Sequence, residues 1–159
     1  DDFMQRIAKH QHDRQNRDSG CSWTTIEEPL NPSKHIDKFS AKVVLVDCLT
    51  LWLTNWMMEE GAFSLGGSGD TIPNGSTNEK EIQKQATEAV NRAMKKLQEE
   101  FEVMTAPYDI TYVVVTNEVG SGTHATSHIA RKFTDAQGWC NQFIASKAQQ
   151  VIHMLCGMP

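Results

Sequence analysis

A pair of histidines close to the start of the chain has the right chemistry for a nucleophile or a metal ligand. His10 and His12 lie in "RIAKHQHDR", where Arg6 stands four residues before His10 and Arg14 four residues after it. A histidine side chain can act as a nucleophile or bind a metal ion. Residues two apart on a helix do not face each other, so the two histidines are a weak metal pair. The stretch alone leaves a nucleophile, a ligand and an ordinary surface residue as alternatives.

Polar side chains also follow two apolar runs. Asp47 ends "KVVLVD", and Asn117 and Glu118 come just after "ITYVVV". Such runs are typical of strands buried on both faces of a parallel sheet, in which ligands bind at the carboxyl ends of the strands. Asp47 could hold Mg²⁺ or a ribose hydroxyl, or it could cap the helix that follows. Glu118 could act as a base or an outer metal ligand, or remain a loop carboxylate in water.

Other candidate ligands lie further along the chain. Arg131 and Lys132 could bind phosphate, or they could form a solvated helix face. His124 and His128 are four residues apart, which would let them share a helix face and a metal, but no third ligand is evident. These residues alone give a geometry compatible with nucleotide binding, and they do not name a reaction.

The tryptophans and cysteines are predicted to be structural. Trp52, Trp56 and Trp139 fall at helical positions that suit a core. No cysteines form a CxxC pair, so a zinc knuckle is not expected. We expect reduced and mostly buried thiols at Cys21, Cys48, Cys140 and Cys156.

Strands and helices are predicted to alternate along the chain. Apolar residues at helical spacing, from Ile82 to Phe101, mark a long amphipathic helix, and Ser76 with Glu79 forms a capping-box signal before it. The predicted helices are 3–14, 48–61, the long helix after Ser76 and a helix that carries apolar residues from Ile129 to Ala148. The predicted strands are a short one from Trp23 that Pro29 ends, 42–47, 110–115 and 151–157. The alternation indicates an α/β fold with a parallel sheet, flanking helices and right-handed crossovers.

Composition and length bound the class of protein. The chain has 159 residues, enough for one domain over 1–159, with the Gly- and Ser-rich stretch 61–77 as a flexible surface insert. A net charge of −5 argues against a broad nucleic-acid surface. No apolar run approaches the ~20 residues of a membrane span, and no signal peptide is evident. We therefore expect a cytoplasmic protein.

Several stretches, in order along the chain, resemble one enzyme family. They are "RIAKH" followed by Arg14, "WTTIEEP", "VVLVDCLTLWLTN", "VVVTNEVGSG", "ARKFTDAQGWCNQFIA" and the final "GMP". Together they resemble the bifunctional adenosylcobinamide kinase / adenosylcobinamide-phosphate guanylyltransferase family of cobalamin biosynthesis. The resemblance implies a P-loop NTPase fold of the RecA-like kind. It also implies a transferase that uses GTP or ATP with Mg²⁺ and acts on adenosylcobinamide and its phosphate.

The resemblance implies roles for individual residues. His10 would attack the α-phosphate of GTP and carry GMP as a phosphoramidate. The nucleotide-binding residues would be Gln11, His12, Asp13, Arg14, Glu27 and Asp47. The strand-tip residues Asn117 and Glu118, with Arg131, remain candidates for phosphate, metal or substrate contacts. Family members form homotrimers, so a homo-oligomer is expected.

One departure from the family pattern concerns the phosphate site. The family begins with a strand and a Gly-rich P-loop ending in Lys-Ser or Lys-Thr, and these 159 residues contain no such motif. We expect a fragment without that first strand and loop. The alternatives are a degenerate member and a P-loop on another chain. Rival functions are a non-catalytic nucleotide-binding or assembly subunit, and a P-loop ATPase of another family in which His10 is structural.

Overall fold

The computed structural model describes most of the chain. The described residues are 2–15, 23–39, 42–65, 77–107, 109–122 and 124–159. Within them, the side chains of Asp2, Phe3, His10, Arg14, Gln15, Thr77 and Asn78 lie outside the description. The elements in chain order are α1 (Asp2–Gln15), a 3-10 helix (Pro32–Lys38), β1 (Val43–Asp47), α2 (Leu49–Glu59), α3 (Ala62–Leu65), α4 (Thr77–Met104), β2 (Thr111–Val115) and α5 (His128–Lys147).

The two strands form a parallel sheet. Val43 stands opposite Thr111, and Asp47 stands opposite Val115, with no break in the register. The connection from β1 to β2 runs through α2, α3 and α4, as a parallel pair requires. The α/β class and the parallel pairing predicted from the two apolar runs are therefore confirmed.

The helices supply the core. The predicted apolar face of α4 is buried at Ala86, Ala89, Ala93, Leu97 and Phe101, and Ile82 is half-buried. The core residues on the other two long packed helices are Leu49, Trp52, Leu53, Trp56 and Met57 on α2, and Ala136, Cys140 and Ile144 on α5. Burial raises the pKa of the Cys140 thiol to about 12, so this cysteine is a packing residue and not a nucleophile.

The sheet is covered on one face by the described helices. Val46, Tyr112 and Val114 pack against the helical core. The alternate side chains point away from it, and Val43, Leu45, Val113 and Val115 are between 41 and 48 % exposed. The expectation that both strands are buried on both faces is therefore wrong for the described part of the chain.

Two predicted strands are not strands in this structure. Residues 23–28 have no regular secondary structure, and the Glu28 carboxylate accepts hydrogen bonds from the backbone N–H groups of Leu30 and Asn31 at 3.0 Å each. Residues 151–157 carry only part of an isolated antiparallel bridge, between Leu155 and Met158. Apolar composition alone does not make a strand, because a strand needs a neighbour for its backbone hydrogen bonds.

Smaller differences concern the insert, a tryptophan and a cysteine. The insert predicted as loop over 61–77 begins with the short helix α3, whose Ala62 is buried. Residues 66–76, with the Ser76 capping signal, lie outside the described residues. Trp139 is 48 % exposed and Cys156 is exposed, so both predictions of burial are wrong, while Cys21 lies outside the described residues.

Among the described residues, no helix has the length and apolarity needed to cross a membrane.

Candidate functional site at the strand tips

The two strand tips predicted to carry ligands lie side by side. Asp47 is paired in register with Val115, so Asn117 and Glu118 follow directly at the same edge of the sheet. Asp47 is exposed, and its carboxylate has no hydrogen bond or ion pair within the described part of the chain. The residue at the N-cap of α2 is Cys48, whose side chain makes no capping bond. Asp47 therefore does not cap α2, and its carboxylate is available to a ligand.

The loop after β2 is hydrogen-bonded to the first turn of α2. The backbone N–H of Asn117 donates to Thr50 Oγ1 at 3.2 Å, and Asn117 Nδ2 donates to the same oxygen at 3.1 Å. Thr50 is three residues past Asp47, at the start of α2. These two bonds hold the second strand tip against the residues that follow the first.

A polar network on α5 holds the same loop from the other side. Asn141 Nδ2 donates to the carbonyl oxygen of Asn117 at 3.1 Å, and Thr116 Oγ1 donates to Asn141 Oδ1 at 2.6 Å. Gln137 Nε2 donates both to Thr116 Oγ1 at 2.9 Å and to Asn141 Oδ1 at 2.8 Å. Gln137 is fully buried, and its Oε1 has no hydrogen-bond partner within the described residues. The loop is therefore positioned by both helices before any ligand arrives.

Sequence reasoning missed Thr50, Gln137 and Asn141. Their only signal is their type: a hydroxyl in the first turn after a strand tip, and two amide side chains four residues apart on one helix. That spacing places Gln137 and Asn141 on one face of α5, which could have suggested a shared partner.

Glu118 is turned back on its own loop. Its Oε1 accepts a hydrogen bond from the Gly120 N–H at 2.7 Å, and a Cβ atom at position 120 would meet that oxygen at 2.8 Å. A side chain at position 120 would therefore displace the Glu118 carboxylate from this contact. The described contact gives Glu118 a loop-shaping role, and the residue remains exposed.

Arg131 also contacts its own loop. Its Nη1 donates to the carbonyl oxygens of Ala125 at 3.1 Å and Thr126 at 2.7 Å. These bonds fold the segment before α5 onto the first turns of that helix. His124 lies in this segment while His128 begins α5, so the two histidines do not share a helix face.

The residues around the first histidine belong to α1. The side chains of Gln11, His12 and Asp13 are exposed, and His12 Nδ1 lies 3.8 Å from Asp13 Oδ1. The side chains of His10 and Arg14, which carry the strongest expectations, lie outside the described residues.

Glu27 and its neighbour differ in their surroundings. Glu27 is exposed in the irregular segment before the 3-10 helix. The N–H groups of Asn31 and Leu30, together with His35, hold the pKa of Glu28 below its usual value. Glu28 therefore shapes the chain, and Glu27 is the carboxylate left open to solvent.

The strand-tip donors suit Mg²⁺ better than a soft metal. No group of three or more His, Cys, Asp or Glu side chains among the described residues could enclose an ion. One exposed carboxylate, that of Asp47, is the kind of donor that Mg²⁺ takes, since Mg²⁺ keeps several waters and binds mainly through nucleotide phosphates.

Comparisons with known proteins identify a matching family and three similar proteins. Residues 1–159 match the model of the family described as cobinamide kinase / cobinamide phosphate guanyltransferase. The chain is 33 % identical over 161 residues to the bifunctional adenosylcobalamin biosynthesis protein CobU of Escherichia coli, covering 99 % of the chain and 77 % of that protein. It is 27 % identical over 156 residues to the protein CobP of Pseudomonas aeruginosa, which has the same bifunctional description, covering 97 % of the chain and 70 % of the relative. The CobU of Salmonella typhimurium is 28 % identical over 163 residues, with 99 % of the chain and 77 % of the relative covered. The chain therefore belongs to the cobinamide kinase / cobinamide phosphate guanyltransferase family.

Proposed function

We propose that the chain works as an adenosylcobinamide kinase and an adenosylcobinamide-phosphate guanylyltransferase. The kinase step moves the γ-phosphoryl group of ATP or GTP onto the aminopropanol hydroxyl of adenosylcobinamide. The second step moves GMP from GTP onto the resulting phosphate and releases pyrophosphate. The observation that carries the proposal is the paired strand tips, where Asp47 stands beside the loop held by Thr50 and Asn117, in a chain whose family match spans residues 1–159.

His10 is the proposed nucleophile of the second step. An imidazole nitrogen attacks the α-phosphorus of GTP, a nitrogen–phosphorus bond forms, and the bond to the β-phosphate oxygen breaks with loss of pyrophosphate. An oxygen of adenosylcobinamide phosphate then attacks the same phosphorus and the nitrogen–phosphorus bond breaks, which gives adenosylcobinamide-GDP and frees the imidazole. Support comes from the imidazole chemistry and from the Arg6–His10–Arg14 spacing of the resembling segment.

The neighbours of His10 and the exposed Glu27 are proposed to contact the nucleotide. Gln11, His12 and Asp13 are exposed on α1 and thus accessible to a ligand. Arg14 would neutralise phosphate charge, since a guanidinium can donate two parallel hydrogen bonds to phosphate oxygens.

Asp47 is proposed to bind the Mg²⁺ that accompanies the nucleotide. Mg²⁺ would neutralise the charge that develops on the phosphates during transfer. Asn117 and Glu118, at the neighbouring tip, would orient the phosphates or substrate, and the exposed Arg131 could add positive charge.

The finer fold proposal is a RecA-like P-loop domain. Its support is the exposed apolar sheet face of Val43, Leu45, Val113 and Val115, because parallel sheets normally have both faces covered. A version carrying the family's P-loop strand and helix ahead of Asp1 should protect the backbone amides of β1 or β2 from hydrogen exchange more strongly than the 159-residue chain does. Equal protection in the two proteins would contradict this part of the proposal.

A homotrimer is the proposed assembly, on the basis of the family resemblance. Light scattering coupled to size exclusion should then give a mass three times 17.8 kDa. A monomer mass at micromolar concentration would contradict it.

Product analysis tests the function directly. A version carrying the family's P-loop segment ahead of Asp1 is incubated with adenosylcobinamide, Mg²⁺ and ATP, then with GTP, and the corrinoids are separated and identified by mass spectrometry. Adenosylcobinamide phosphate should appear first and adenosylcobinamide-GDP second. A protein that binds GTP yet yields neither product would be a non-catalytic nucleotide-binding subunit, and the enzyme proposal would fail.

A further inference from the structure

A groove of about 390 Å³ lies between the first turns of α4 and α5. Lys80 and Lys84 line it from α4, and His128 and Lys132 line it from α5. α4 leads into β2 and α5 follows β2, so both helices run opposite to the strand, and their first turns lie beyond its carboxyl end. The loop after β2 meets α5 at Gln137 and Asn141, more than two turns after His128, so the groove is separate from the strand-tip site.

The charge of this groove is opposite to that of the whole protein. Among the described residues, three lysines and one histidine line it together with one acid, Glu88, although the chain carries a net charge of −5. None of the three lysines has an ion pair with a described residue, whereas Lys95, Lys96 and Lys147 all do. The nearby acid Glu79 accepts a hydrogen bond from Gln83, and Glu81 accepts one from Gln85. Within the described part of the chain, no carboxylate lies in ion-pair distance of these three lysines, although Glu88 lines the same groove.

Two further features add positive potential. The amino ends of α4 and α5 both lie at this groove, and each adds the partial positive charge of a helix N-terminus. Burial, Lys132 and Arg131 together lower the pKa of His128, as expected where positive charges face one another without neutralisation.

We propose that this groove binds a phosphate-bearing anion through Lys80, Lys84 and Lys132. Compact lysine ammonium groups suit a multiply charged phosphate, which they contact as point charges. The groove is shallow and open to solvent, which suits a phosphate group that keeps part of its hydration. The phosphate could come from a nucleoside triphosphate or from a phosphorylated alcohol, and the two sources share this chemistry. The proposal does not depend on turnover, since it concerns binding alone.

The first test uses inorganic tripolyphosphate and the NMR signal of the His128 imidazole. Tripolyphosphate should bind at low salt and raise the pKa of His128, because it neutralises the cations that face this ring. Lys84→Gln and Lys132→Gln should each weaken binding about five-fold, and added salt should weaken it further. Lys95→Gln, on the same helix but paired with Glu99, should bind as the wild type does. An unchanged dissociation constant in both groove variants, or no change in the His128 titration, would overturn the proposal.

The second test separates the two sources of phosphate. GTP and adenosylcobinamide phosphate are titrated calorimetrically into wild type, Lys84→Gln and Lys132→Gln. The ligand whose affinity falls about five-fold in both variants is the one whose phosphate occupies the groove. If both ligands keep wild-type affinity in both variants, the groove serves neither and the proposal fails. These binding titrations do not require an active enzyme. The product analysis therefore tests the enzyme proposal independently of the groove proposal.

Discussion

Asn117 is hydrogen-bonded twice to Thr50, through its backbone N–H at 3.2 Å and through Nδ2 at 3.1 Å. The two residues are separated by 67 positions in the sequence, so the fold alone brings them together. One hydroxyl oxygen thus fixes the loop after β2 against the beginning of α2, beside Asp47. Any ligand at the strand tips meets a loop that is already positioned, which lowers the entropy cost of binding.

Replacing Thr50 should loosen this loop while leaving the core intact. Thr50→Val keeps the size and branching but removes the acceptor, and the net loss for hydrogen bonds of this kind is about 0.5–1.5 kcal/mol each. We expect faster hydrogen exchange at Asn117 and a rise in the KM for nucleotide. Thr54→Val is the matched control, because its hydroxyl donates only to the Thr50 carbonyl within α2. Unchanged exchange at Asn117 in Thr50→Val would contradict the role given to this contact.

Asp47 should contribute to nucleotide binding or turnover and not to the stability of the fold. Its carboxylate is exposed and has no partner in the described part of the chain, so Asp47→Ala should change the free energy of unfolding by less than about 0.5 kcal/mol. Loss of the proposed Mg²⁺ ligand should weaken nucleotide binding or turnover by about ten-fold or more. Asp109→Ala, before the amino end of β2, should leave both unchanged. Calorimetric GTP titration and turnover assays on a version carrying the family's P-loop segment measure the effect, and wild-type values in Asp47→Ala would remove Asp47 from the site.

Glu60 should contribute to the acid stability of the packed helices. Lys96 and Arg92 hold the pKa of Glu60 below its usual 4.5, and Arg92 Nε lies 2.7 Å from its Oε2. A lowered carboxyl pKa stabilises the fold above pH 4.5, and this stability is lost as the pH falls through the folded-state pKa. Glu60→Gln should therefore lower the free energy of unfolding at neutral pH. It should also reduce the loss of that free energy as the pH falls below 4.5.

Denaturation curves measured across this pH range test the Glu60 prediction. Glu102→Gln is the control, because its ion pair with Lys147 is about half exposed and worth at most about 1 kcal/mol. If the free energy of unfolding of Glu60→Gln falls with pH as steeply as that of the wild type, the ion pairs of Glu60 with Arg92 and Lys96 do not cause the acid sensitivity.

Local patterns predicted some elements well and others badly. The buried face of α4, from Ala86 to Phe101, follows from helical spacing alone. The side-by-side strand tips of Asp47 and Asn117 follow from two apolar runs and the geometry of parallel sheets. Residues 23–30 and 151–157 have strand-like composition without a described strand to pair with, and composition does not reveal a partner.

The missed site residues depend on contacts between distant parts of the chain. Thr116 and Asn141 are bonded across 25 positions, and Asn117 and Thr50 across 67. The sequence alone does not distinguish a threonine or asparagine that makes such a long-range hydrogen bond from one at an ordinary surface position. The prediction that Trp139 is buried is wrong for a related reason. Its helical position suits a core, but the described elements do not cover its side of α5, and the residue is 48 % exposed.

The covalent role of His10 is the central claim, and trapping labelled GMP on the protein tests it most directly. A version carrying the family's P-loop segment ahead of Asp1 is incubated with GTP labelled at the α-phosphate. The wild type should form a protein adduct that acid releases and mild base does not, as a phosphoramidate requires. His12→Asn should keep the adduct. His10→Asn should lose it and make no adenosylcobinamide-GDP, yet still phosphorylate adenosylcobinamide, because the kinase step passes the phosphoryl group directly to a hydroxyl. Normal labelling of His10→Asn would contradict the account.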